Sequence, residues 1–141
     1  MRRPQQLSLF DIPTFNITRD VKAAAHAAAK ASRWSREEIT DKMNDLASRY
    51  GVNLVKGNGK LTVETLEKWL SVNDKTRVMP IAALPVFCAV VEDWSALAVM
   101  AKPLGLELIG HEDQQLLKWA RIKLRHKQEG AELRAIEKDL L

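Results

Sequence analysis

Apolar and polar positions alternate with helical spacing along most of this chain. In residues 36–49, Ile39, Met43, Leu46 and Ala47 recur at helical spacing, while Glu37, Asp41 and Asp45 lie elsewhere around the turn. That spacing predicts an amphipathic helix with a single buried stripe. Ser35, with Glu38 three residues on, spells a capping box at its start, and Gly51 sits where a helix commonly ends. Upstream, VKAAAHAAAKA predicts a helix over 19–32, because alanine loses little side-chain entropy on becoming helical. Thr18 is its expected N-cap and His26 an expected half-buried packing residue. Downstream, VETLEKWLS predicts a short helix at 63–71, capped by Thr62, with Leu66, Trp69 and Leu70 inward and Asn73 and Asp74 beyond its end. Pro80 opens the next helical stretch, which Pro85 either kinks or restarts; Phe87, Val90 and Val91 mark it as the central core helix. WSALAVMAKPLG predicts a fifth helix, stopped by Pro103 and Gly105, and LELIG an extended exit. Residues 112–141 predict a long polar helix, weakened by Gly130. Trp119, Ile122, Leu133, Ile136 and Leu140 recur there at spacings of three and four, interrupted by His126 and Glu129. Such a stripe packs on its own domain or on a copy of itself.

One segment breaks the pattern. In VNLVKGNGKLT, Leu54 and Val55 mirror Leu61 and Thr62 around Gly57, Asn58 and Gly59. Glycine and asparagine tolerate the positive φ of tight turns, so a two-stranded ribbon with Lys56 and Lys60 near its tip is expected. A phosphate-binding loop is excluded there, since Leu54 and Leu61 stand where glycine and a hydroxyl residue are required.

Composition adds boundaries. With 141 residues, the chain can form one domain with a tail or an extra helix. Three regions follow: an N-terminal tail at 1–17, a domain at 18–110, and a C-terminal helix at 111–141 with a possible dimerisation role. Hydrophobic residues at 46% and charged residues at 28% fit a globular protein. There is no apolar run of roughly 18 residues to cross a bilayer, so no membrane partner and a cytoplasmic location are expected. The lone Cys88 is a small buried residue. No enzyme is expected, nor a cofactor, because His26, His111 and His126 lack metal-ligand spacing, no glycine-rich cofactor loop exists and Cys88 has no base nearby in sequence. No catalytic or metal-binding residue is assigned.

Charge bears on partners. The net charge is +4 and the isoelectric point about 9.3, which permits nucleic acid. Residues 49–77 hold Arg49, Lys56, Lys60, Lys68, Lys75 and Arg77 against Glu64, Glu67 and Asp74. KWARIKLRHK at 118–127 is a second basic cluster without an acid, which reads equally as a solvated helix face.

Taken together, WSREEITDKM at 34–43, TVETLEKWL at 62–70 and MPIAALPVFCAVVEDWSALAVMA at 79–101 resemble the lambda-repressor-like helix-turn-helix domain of phage regulatory proteins. The resemblance covers roughly residues 19–110. It implies an all-α fold, a five-helix domain here carrying a small β-hairpin insertion and followed by the long C-terminal helix. It also implies a phage- or prophage-type transcriptional regulator that reads duplex DNA. Carried over by position, Thr62, Val63, Glu64, Thr65, Glu67 and Lys68 would occupy the exposed early part of a recognition helix. Lys56, Lys60, Lys75 and Arg77 would supply phosphate contacts. The family joins its second and third helices by a tight turn, whereas residues 50–62 intervene here. The alternative use of such a scaffold is protein contact.

QLSLF, residues Gln6, Leu7, Ser8, Leu9 and Phe10, resembles the bacterial sliding-clamp-binding motif at all five positions. That resemblance implies a tail that docks on the replication clamp, the chain then serving as a non-enzymatic adaptor. The other reading of the same letters tucks Leu9, Phe10, Ile12, Phe15 and Ile17 against the helical domain.

Overall fold

A computed structural model of the chain describes residues 15–57 and 59–141. Six α-helices follow in order: α1 (Thr18–Ala31), α2 (Arg36–Tyr50), α3 (Val63–Leu70), α4 (Ala83–Val91), α5 (Ser95–Ala101) and α6 (His111–Leu140). A 3-10 turn at Lys102–Leu104 extends α5, and Gly105 ends it in the left-handed conformation, φ 69°. The described residues fall into two compact units, one ending at Glu107 and the other covering Leu108–Leu141.

The first unit is built by helices covering helices. α1 packs on α5 and α3, and α2 packs on α4 and α3. Ala25, Ala28 and Ala29 are the buried face of α1, and their small side chains let α5 approach closely through Ala96. Phe87, Ile39, Met43, Leu66 and Leu70 form the fully buried centre. Burying a side chain of this size contributes about 1.5–3 kcal/mol, so these five dominate the core's hydrophobic driving force.

Local signals place most boundaries. The capping box closes in both directions, Glu38 N–H donating to Ser35 Oγ at 3.2 Å and Ser35 N–H to Glu38 Oε1 at 3.3 Å. Gly51 takes φ 67° at the end of α2, a conformation that costs glycine nothing. Thr62 caps α3 by accepting from Thr65 N–H at 3.2 Å. Local expectations shift at three positions. Thr18 is the first residue of α1 rather than its cap, the cap position being Ile17 with no side-chain hydrogen bond. His26 is exposed rather than half-buried. Pro85 neither kinks nor restarts a helix: it sits in the first turn of α4, where its missing N–H would have had no helical partner.

The expected β-hairpin does not form. Residues 52–57 and 59–62 contain no strand, so the description as five helices with a ribbon insertion gives way to six α-helices and no strand among the described residues. The cause is Asn44 on α2. Its side-chain amide donates to the Leu61 carbonyl and its side-chain oxygen accepts from Leu61 N–H, both at 2.9 Å. Leu61 thus meets a side chain where the ribbon would offer a strand, and Leu54 and Leu61 both turn into the core.

A second long-range device fixes α3. Lys22, 3% exposed, donates from Nζ to the carbonyls of Lys68 at 3.0 Å, Ser71 at 3.1 Å and Arg77. An ammonium has three N–H donors, and all three are used. Lys68 and Ser71 lie in the last turn and at the C-cap of α3, so the cation also meets the negative end of the helix dipole.

Two substitutions test these contacts by urea unfolding monitored by circular dichroism. Lys22→Met keeps the bulk of the stem but removes the shared donor, leaving the Lys68 and Arg77 carbonyls without it and Ser71's with only Asp74 N–H, and is expected to cost about 3 kcal/mol. Asn44→Asp keeps the acceptor for Leu61 N–H but sets a carboxylate oxygen against the Leu61 carbonyl, and is expected to cost about 2 kcal/mol. An unchanged midpoint for either would remove that residue from the account.

Candidate nucleic-acid interface

α3 presents an outer face made of its capping residue and its first two turns. Thr62 and Glu64 are exposed, Val63 and Thr65 half-buried, Glu67 exposed and Lys68 half-buried. Leu66, Trp69 and Leu70 anchor the opposite face in the core. The six residues expected to read bases therefore share one short helix and its cap. The Thr62 hydroxyl is engaged in the cap and also donates to Thr65 Oγ1 at 3.1 Å.

Both acids on this face carry a cationic partner. Glu64 pairs with Lys68 one turn on at 3.2 Å, and Glu67 pairs with Arg36 of α2 at 3.0 Å. The Arg36 side chain is only 23% exposed, so the second pair also ties α2 to α3. Exposed pairs of this kind contribute at most about 1 kcal/mol each to stability. Their larger effect here is local: negative charge on the α3 face is matched by positive charge.

Basic residues lie beyond each end of α3. Lys56 and Lys60 are exposed on the irregular segment leading into Thr62, and Lys75 and Arg77 are exposed on the loop leaving it. That loop is held from within. Asp74 accepts from Thr76 N–H and Thr76 Oγ1, both at 2.9 Å, and from Arg77 N–H at 3.0 Å. The Arg77 carbonyl goes to Lys22. With its amide and carbonyl both fixed, Arg77 presents its guanidinium outward from a defined backbone.

The structure adds a residue that the sequence pattern did not single out. Arg19, in the first turn of α1, lines a cleft of about 610 Å3 with Asn16, Thr18, Lys22, Val72, Asn73, Asp74 and Lys75. It lies in the same cleft as Lys75 although 56 positions separate them in the chain, so no local signal could have paired them. The first turn of α1 adds the positive end of a helix dipole to the same place.

The QLSLF pentapeptide, Gln6 to Phe10, lies outside the described residues. Of the apolar set proposed to tuck against the domain, Phe15 is 74% exposed and Ile17 half-buried. No helix among the described residues is long and apolar enough to cross a membrane.

Hydrogen bonds from Thr76 N–H, Arg77 N–H and the Thr76 hydroxyl hold the Asp74 carboxyl below its ordinary value of 3.8. A carboxyl whose folded value is depressed adds stability that is present above the unfolded value and lost as pH falls through the lower folded one. In a carboxyl-carbon NMR titration Asp74 is expected to titrate below 3.8, and Asp74→Asn to flatten the acid limb of the stability profile below about pH 4. An ordinary titration would show that the loop is not held by this carboxylate. No protein-family model, curated protein or solved structure matches the chain.

Proposed function

We propose that the first unit is a duplex-DNA-binding regulator of the phage or prophage type that its sequence resembles, using α3 for readout. The observation that carries this reading is the composition of the α3 surroundings: an exposed polar face whose acids are neutralised, with free-standing bases beyond both ends. An eight-residue helix is about 12 Å long. That matches the width of a B-DNA major groove, about 12 Å. Bases beyond the two ends, Lys56 and Lys60 on one side and Lys75, Arg77 and Arg19 on the other, then fall toward the two phosphate ridges. Thr62 and Thr65 offer hydroxyls to base edges, and Glu64 can accept from cytosine N4 once Lys68 turns to a phosphate. Contact of those five bases with phosphates, before Lys68 is counted, gives a slope of log affinity on log salt of about −4.5.

Fluorescence anisotropy with a pool of random duplexes tests this. Binding is expected to fall several-hundred-fold, roughly, between 50 and 200 mM salt. Lys60→Glu combined with Lys68→Glu is expected to abolish it. Binding that is absent, or that ignores salt, would sink the proposal.

A second reading rests on a different observation, the five-position match of Gln6, Leu7, Ser8, Leu9 and Phe10 to the sliding-clamp-binding motif. In it the chain is an adaptor that recruits or blocks the clamp through its tail, the helical unit making protein contacts. Leu9→Ala with Phe10→Ala is expected to remove clamp co-purification while leaving the circular dichroism spectrum unchanged; co-purification at the original level rules the adaptor out. The two readings are compatible.

A further inference from the structure

None of the 30 residues of α6 is buried, although Trp119, Ile122, Leu133, Ile136 and Leu140 lie along it with exposures from 39% to 79%. Together with His126 and Glu129 they occupy consecutive a and d positions of a heptad: Trp119, His126, Leu133 and Leu140 at a, and Ile122, Glu129 and Ile136 at d. The seam is apolar at both ends and polar in the middle. Leu117 and Leu124 lie at f positions, outside it.

The seam is complementary to itself in one orientation. In an antiparallel pair, each a position faces a d position of the partner. Placing a two-fold axis between Lys127 and Gln128 sets Trp119 against the partner's Ile136 and Ile122 against the partner's Leu133. The two polar positions then meet each other, His126 against the partner's Glu129, so neither interrupts an apolar layer.

Flanking charge selects the same orientation. The helix as a whole is mixed in charge, with Glu112 and Asp113 in its first turn and Arg134 and Lys138 in its second half, but its g positions run from basic, Lys118 and Arg125, to acidic, Glu132 and Asp139. In the antiparallel register g positions face g positions, pairing Arg125 with the partner's Glu132 and Lys118 with the partner's Asp139. A parallel pair would set Lys118 beside the partner's Lys123 and Glu132 beside the partner's Glu137. It would also stack Glu129 on its own copy in the seam. Charges at e and g positions set partner orientation in coiled coils, and like charges facing each other disfavour a register.

We propose that α6 pairs antiparallel with α6 of a second copy of this chain, about a two-fold axis between Lys127 and Gln128. The pairing covers Trp119, Ile122, Leu133 and Ile136, leaves Leu140 opposite the partner's Gln115, sets the basic g positions of each helix against the acidic g positions of the other, and is independent of whether the first unit binds DNA. Sedimentation equilibrium of the full chain is expected to give twice the 15.9 kDa chain mass. Arg125→Glu and Glu132→Arg are each expected to weaken dimerisation about tenfold, and the double variant to recover most of that loss. In a Cys88→Ala background, an equimolar mixture of Ile122→Cys and Leu133→Cys chains is expected to form a disulfide-linked dimer that neither variant forms alone. A monomer at all concentrations overturns the proposal, as does tighter association of Glu132→Arg, which a parallel pair would show. Cross-linking in the mixture no greater than in either variant alone overturns it as well.

Discussion

Lys22 is the interaction on which the candidate interface depends. It is a charged residue on the buried side of an alanine-rich helix, and burial pulls its ammonium below the ordinary 10.5, against the attraction of Asp74. Such a group is tolerated only where hydrogen bonds replace its water, and three backbone carbonyls do so. Those carbonyls belong to the end of α3 and to the loop that follows. One side chain therefore terminates the helix, anchors the returning chain and fixes both to α1. Asp74 then completes the loop from the solvent side through Thr76 and Arg77. The exposed positions of Lys75 and Arg77 are consequences of that internal arrangement.

What was legible in the sequence was local. Ser35 with Glu38, Gly51 and Thr62 each act within a few residues of where they stand, and each took its expected place. Asn44 and Lys22 act across 17 and about 50 residues, and nothing in their neighbourhoods announces it. The ribbon failed for that reason. Leu54, Leu61 and the glycines between them satisfied every local requirement of a hairpin, but one amide on α2 supplied both hydrogen bonds that Leu61 needed. A side-chain amide carries a donor and an acceptor and can stand in for a strand at one residue, which no periodicity records. For the candidate interface the same division holds. The Glu64 and Lys68 pair is readable from its spacing, whereas the Glu67 and Arg36 pair and the shared cleft of Arg19 and Lys75 come from tertiary packing.

The acids of α3 illustrate how one side chain can serve two demands. On the isolated helix, Glu64 with Lys68 one turn later is a stabilising pair, and Glu64 in the first turn favours the helix dipole. Beside DNA the same carboxylate would be repelled unless its partner stayed close or it found a base-edge donor. Glu67 is more constrained, because its partner Arg36 sits at the start of α2 and is mostly covered. That pair belongs to the packing of α2 on α3, whereas Glu64 is 80% exposed and pairs only within its own helix.

The polar centre of α6 follows a comparable logic. An all-apolar seam over seven heptad positions would bind a second helix more tightly, but it would accept several registers and either orientation. His126 and Glu129 sacrifice two apolar layers, and they face each other across the seam when the helix pairs with itself in reverse about its middle. The g positions, basic at Lys118 and Arg125 and acidic at Glu132 and Asp139, repeat that instruction at the flanks. Gly130, beside the centre, weakens the helix locally by about 1 kcal/mol relative to alanine, so the middle of α6 is where pairing contributes most to keeping the helix continuous. The features that look least favourable in a single copy of α6 are thus the ones that define how two copies meet.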